Sequence, residues 1–147
     1  MKVFFVALLA TSMLSFNAWQ TDFEIARTIA KEKHQLILLN FSGSDWCGPC
    51  IRMKKEIFND SQFASWADTA LVMFNADFPR NKKNQLDKTL KANNEKLADK
   101  YNPLGKFPFT VLLNANGDIL KSWDGLPDET PAAFVKEIKK VYDSGKR

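Results

Sequence analysis

The chain has 147 residues, 45% of them hydrophobic and 26% charged, with a formal net charge of +4; that is the size and composition of a single globular domain with one core. The charge is modest and the lysines are spread along the chain, so nucleic acid is not an expected partner, although weak attraction to anionic surfaces fits. Two cysteines cannot build a disulfide framework, and with His34 as the one histidine there is no four-ligand set, so no metal centre is expected.

Lys2 precedes an apolar run from Val3 to Leu14 that is broken only by Thr11 and Ser12, and no acidic residue occurs before Asp22. This pattern matches a secretory signal peptide and falls short of the roughly 20 residues a membrane span requires. Ala18 is its expected end, so residues 1–18 read as the leader and 19–147 as the folded domain. Export would place the cysteines in an oxidising compartment, periplasmic or extracellular.

Thr21-Asp22-Phe23-Glu24 has the form of a capping box, with Thr21 as cap. It opens a helix to about Lys33 whose buried side is Phe23, Ile25, Ala26, Ile29 and Ala30. Leu36 to Phe41 is a continuous apolar run of strand length, as expected of a central strand covered on both faces. Ser42-Gly43-Ser44-Asp45 leads to Trp46-Cys47-Gly48-Pro49-Cys50, and a helix is expected from Ile51 to Phe58. Asn59-Asp60-Ser61 ends it and caps a short helix, Gln62 to Ala67. Leu71 to Phe78 reads as a second strand, stopped by Pro79.

Lys82 to Tyr101 is predicted as one amphipathic helix, with Leu86, Leu90, Leu97 and Tyr101 on a narrow stripe and its lysines on a solvated face. Asn102-Pro103 ends it. Phe107 to Leu113 and Ile119 to Trp123 form a hairpin about a Gly-containing loop. Thr130-Pro131 caps and starts the last helix, whose apolar face is Phe134, Ile138, Val141 and Tyr142. The order α-β-α-β-α-β-β-α gives an α/β domain: parallel strands with helices on both faces and an antiparallel terminal hairpin. Asn40-Phe41-Ser42 and Asn59-Asp60-Ser61 match the N-glycosylation pattern, but the first falls in a buried strand. His34 reads as a helix-end residue, and Trp66 and Trp123 as packing residues.

Both cysteines lie between a strand and the first turn of a helix. Unpaired N–H groups and a partial positive charge at that helix end favour thiolate over thiol. Cys47 should therefore be the more acidic, attacking sulfur, with Cys50 one turn on and beneath it. Pro49 suits the first turn because its missing N–H would be unpaired there anyway.

The motif Trp46-Cys47-Gly48-Pro49-Cys50 is identical to the active-site motif of thioredoxins, and the element order resembles a thioredoxin fold over roughly residues 21 to 145. Phe107-Pro108 stands where the family carries a cis-proline. The resemblance implies that Pro108 is cis, that the Phe107 backbone pairs with a substrate peptide, and that Gly125 is the glycine that lets substrates approach. Trp46, Gly48 and Pro49 would complete the substrate rim. Three departures stand out: Asn40 replaces the family's buried aspartate, Met73 its accompanying lysine, and the loop Ser42–Asp45 is one residue longer. The proton acceptor for Cys50 is thus unassigned, with Asp45, Glu56 and water as candidates. The resemblance is strongest to exported thioredoxin-like proteins of Gram-negative bacteria.

The implied activity is thiol–disulfide exchange with protein thiols and disulfides, in the reductase or isomerase direction suggested by Gly48-Pro49. No cofactor is expected beyond the Cys47–Cys50 pair, and a membrane electron donor or acceptor would recycle it for a monomeric protein. Competing readings are a non-catalytic peptide-binding module, a dedicated partner in cytochrome c maturation, or an inert Cys47–Cys50 staple.

Overall fold

A computed structural model of the protein describes residues 18–144; the leader read over residues 1–18 falls, Ala18 apart, outside the described residues. Four strands form one sheet in the order β2-β1-β3-β4. They are β1 (Leu36–Ser42), β2 (Leu71–Asp77), β3 (Phe109–Leu113) and β4 (Ile119–Asp124). β1 runs parallel to β2 and antiparallel to β3, and β3 and β4 are the two arms of the hairpin. The continuous apolar run of β1 has a simple cause: the strand is internal to the sheet and both its faces are covered.

One face carries α2 (Gly48–Met53), α3 (Ser61–Ala70) and α5 (Pro131–Ser144). Their side chains Met53, Phe63 and Phe134 close over Leu38, Met73 and Leu112. The other face carries α1 (Phe23–Lys33) and α4 (Lys88–Tyr101), whose Ala26, Ala30, Leu97 and Tyr101 cover Ile37, Leu39, Val72, Phe74 and Val111. This is the mixed sheet between two helical layers that the element order implied.

Local corrections follow from hydrogen bonding. Asp22, not Thr21, caps α1: its carboxylate accepts the N–H groups of Glu24 and Ile25. Ile25 faces outward, 52% exposed, rather than joining Ala26 and Ala30 on the buried side. The helix after Cys50 changes character at Lys54, and Lys54–Phe58 form a turn of π-helix. The next helix is longer than expected because Asp60 caps it, and it runs to Ala70.

The predicted single helix from Lys82 to Tyr101 is two pieces. A 3-10 turn at Lys82–Asn84 is separated from α4 by Gln85–Asp87, and Asp87 caps α4 through the N–H groups of Thr89 and Leu90. Thr130 and Pro131 start α5 as expected, with the Thr130 hydroxyl accepting the Ala133 N–H. His34 ends α1 in a left-handed conformation, exposed. Trp66 and Trp123 pack against the core.

Candidate active site

The chain leaves β1 at Ser42 and turns through Gly43. A side chain at Gly43 would overlap the Trp46 indole, so the ring lies directly on the backbone of the turn. The Trp46 and Cys47 N–H groups both bond to the Gly43 carbonyl, which brings Cys47 to the N-cap of α2. There its sulfur accepts the Cys50 N–H at 3.3 Å. The sulfur therefore occupies the position at which a helix end favours negative charge.

Cys47 and Cys50 are joined in a disulfide, with Cα atoms 5.2 Å apart. Cys47 is 5% exposed and Cys50 3%. The outer-and-buried contrast expected from sequence is therefore slight in the oxidised pair. Gly48 and Pro49, between them, are exposed at the surface.

Trp46 organises the rim. Its Nε1–H donates to the Phe78 carbonyl at 2.7 Å, its ring meets Phe107 edge-on at 5.4 Å, and the Arg80 guanidinium lies 3.6 Å above its centre. Phe107 also packs edge-on against Phe78. The Phe107–Pro108 bond is cis. The Pro108 carbonyl accepts the Gly125 N–H at 2.9 Å, which ties the residue after β4 to the proline before β3. Gly125 has φ +81°, a backbone state that favours glycine, with open space where a side chain would be. Phe107, Pro108 and Gly125 thus form one connected segment, and Phe107 joins it to Trp46.

Residues 23–142 match the family model of the thioredoxin-like domain. The chain belongs to that family. Among relatives, it is 36% identical over 110 residues to the disulfide bond reductase DsbH of Chlamydia pneumoniae, an alignment covering 75% of this chain and 64% of that protein. The chain therefore spans slightly under two thirds of that curated relative. A solved structure of a DsbH oxidoreductase superposes with a TM-score of 0.78 at 31% identity, over 86% of this chain and 84% of the other. A thioredoxin from Thermus thermophilus shares the fold at 17% identity and a TM-score of 0.59, over 80% and 81% of the two chains.

Beneath the motif, this thioredoxin-like domain replaces charge with amides. Asn40 is 5% exposed; its Nδ2 donates to Asn75 Oδ1 at 3.0 Å, and its Oδ1 accepts the Thr110 hydroxyl at 3.1 Å. Asn75, directly opposite Asn40 in the sheet, is thus its polar partner. Met73 pairs instead with Leu38 in the apolar core.

Both carboxylates proposed from sequence as proton acceptor have other partners. Asp45 accepts the Arg80 and Asn81 N–H groups and Asn84 Nδ2, all at 2.9 Å. The Arg80 N–H, ahead of the Asn84 amide, holds its carboxyl below the usual Asp range. Glu56 is exposed and bonded to Arg52, whose hydrogen bond lowers its pKa. Cys50 instead lines a cavity of about 500 Å³ together with Asn40, Asn75, Asn94 and Asp77. Asp77 accepts the N–H and hydroxyl of Ser44.

Sequence reading missed Asn75, Asp77 and Arg80. Asp77 had a signal in its place at the end of β2, beside the loop that carries the motif. Arg80 had none, because its role depends on the side-chain stacking.

Proposed function

We propose that the protein is a thiol–disulfide oxidoreductase that reduces or isomerises disulfides of protein substrates. The observation that carries this is the redox pair itself, with the Cys47 sulfur on the N-cap of α2 accepting the Cys50 N–H. In the reduced protein, the Cys47 thiolate attacks a substrate sulfur. The substrate S–S bond breaks, one substrate thiolate leaves and takes up a proton, and a mixed disulfide forms. Cys50 then loses its proton and attacks the Cys47 sulfur. The second substrate thiol departs, and two electrons have passed from the protein to the substrate.

The product of that cycle is the Cys47–Cys50 disulfide seen in the structure, so a further dithiol must return two electrons. An exported location, read from the leader at residues 1–18, makes a membrane-bound dithiol donor the fitting class. The reducing direction is supported by the likeness to a protein named as a disulfide bond reductase. Trp46, Gly48, Pro49, Phe107, Pro108 and Gly125 serve as the substrate rim, where an extended peptide pairs with the Phe107 backbone.

Four measurements test this reading. Wild type should reduce the insulin disulfides in the presence of a small dithiol, and Cys47→Ser should abolish that reaction. Cys50→Ser should accumulate mixed disulfides with substrate proteins. A Cys47→Ser, Cys50→Ser double variant that kept all partners, alongside wild type inactive on insulin, would show a binding module instead. For direction, a reduction potential near roughly −270 mV fits a reductase, and one near −120 mV would make the protein an oxidant.

A further inference from the structure

Arg80 stands on the ring of Trp46, the residue before Cys47, as a held cation. Two carboxylates join the loop before the motif to the loop after β2 in a reciprocal clamp. Asp77 takes the Ser44 N–H and hydroxyl, while Asp45 takes the N–H groups of Arg80 and Asn81 and the side-chain amide of Asn84. Each is thereby satisfied by neutral donors. The backbone of residue 80 is fixed by one of these bonds, and its guanidinium is fixed by the Trp46 ring at 3.6 Å.

The ring itself is held by the Phe78 carbonyl and the edge of Phe107. Arg80 is exposed, and among the described residues its guanidinium forms no ion pair. A stacked guanidinium keeps its N–H fork available at its edge, and that fork matches a carboxylate in a two-point geometry. Its side-chain entropy is already reduced by the stacking, so less is lost when it binds.

Trp46 immediately precedes Cys47, and the Phe107 ring meets the Trp46 ring at the same rim. An extended polypeptide advances about 3.3 Å per residue, so a chain engaged there carries residues flanking its reacting cysteine past the Trp46 face. We infer that Arg80 is a specificity residue of the exchange reaction, receiving an Asp or Glu side chain within a few residues of the substrate cysteine. Protein disulfides flanked by acidic residues are then the preferred class over those flanked by Lys or Arg. This inference rests on the oxidoreductase reading above. Lys82 and Lys83, exposed in the same segment, add general attraction but have no stacked partner of this kind.

The experiment uses the full chain and two disulfide peptides identical except for Glu or Lys beside the cysteine, in competition. Wild type should favour the Glu peptide by about fivefold in kcat/KM, the scale of a single exposed, well-oriented ion pair. The ratio should fall toward one in 1 M salt, where charges are screened within about 3 Å. Arg80→Gln should bring the ratio near one at low salt, and Arg80→Glu should invert it. Lys82→Gln with Lys83→Gln should keep most of the preference. A wild-type ratio of one, or an Arg80→Gln variant that slows both peptides equally and leaves the ratio standing, overturns the inference. If wild type reduces neither peptide and Cys50→Ser traps neither, the oxidoreductase reading has failed, and the inference with it.

Discussion

Gly43 has room only for a hydrogen, because the Trp46 indole occupies the place of a Cβ. Gly43→Ala should displace the ring, loosen its contacts with Arg80 and Phe107, and cost about 1–3 kcal/mol by overpacking. Thermal melting measures the cost, and slower disulfide exchange should accompany it. Asn40 holds two partners at once, the Thr110 hydroxyl and the Asn75 amide. Asn40→Ala leaves both short of a partner in a buried site, for a loss of about 1–3 kcal/mol in denaturant unfolding. Asp45 gives a pH signature. Its folded pKa lies below the ordinary 3.8, with the Arg80 N–H as the largest cause. A depressed carboxylate contributes stability above its unfolded pKa and loses it as pH falls through the folded value. The Arg80 and Asn81 amide signals should therefore shift with a common midpoint below 3.8 in an NMR titration.

The elements show which signals the chain made legible. The strands read clearly because β1 and β2 are apolar runs interrupted within only by Asn40 and Asn75, and the β3–β4 hairpin was announced by its Gly-containing loop. The helix over residues 82–101 was misread because Leu86 and Leu90 share an arc with Leu97 even though a break separates Leu86 from α4. The local signal was Asp87, a capping residue just ahead of Leu90. The π turn at Lys54–Phe58 has no composition signature; tertiary packing of Ile57 and Phe58 into the core accompanies it. At the far side, α5 is tied to β4 by Glu137, which accepts Trp123 Nε1–H at 2.6 Å and Lys121 Nζ at 3.3 Å. The Trp123 bond, ahead of Lys121, lowers the Glu137 pKa, so this tie is complete at neutral pH and weakens as pH falls below the usual Glu range. Trp123→Phe should remove the indole bond and leave the Lys121 contact, costing about 1 kcal/mol at this partly exposed site and reducing the share of the acid-dependent melting temperature that Glu137 contributes.

At the scale of the whole molecule, the fold puts a strand end, a helix start, the cis-proline segment and the loop after β2 at one end of the sheet. The first two were legible in the sequence because they are local: Trp46 to Cys50 spans one turn. Pro108 and Gly125 were placed only through resemblance to the family, since nothing in their spacing brings them to Cys47. Arg80 and the Cys50-lined cavity depend on how two loops meet, which no local pattern encodes. On the Cys50 side, Asn40 and Asn75 line a cavity where the family carries a charged pair, a departure that Asn40 and Met73 already marked in the sequence. Chemistry at the motif therefore rests on the helix end at Cys47. The most direct test is the rate of iodoacetamide alkylation of Cys47 in the Cys50→Ser variant as a function of pH. The account predicts a midpoint well below the ordinary thiol value of about 8.5. A midpoint at or above that value would mean that α2 does not acidify Cys47, and the proposed mechanism would lose its nucleophile.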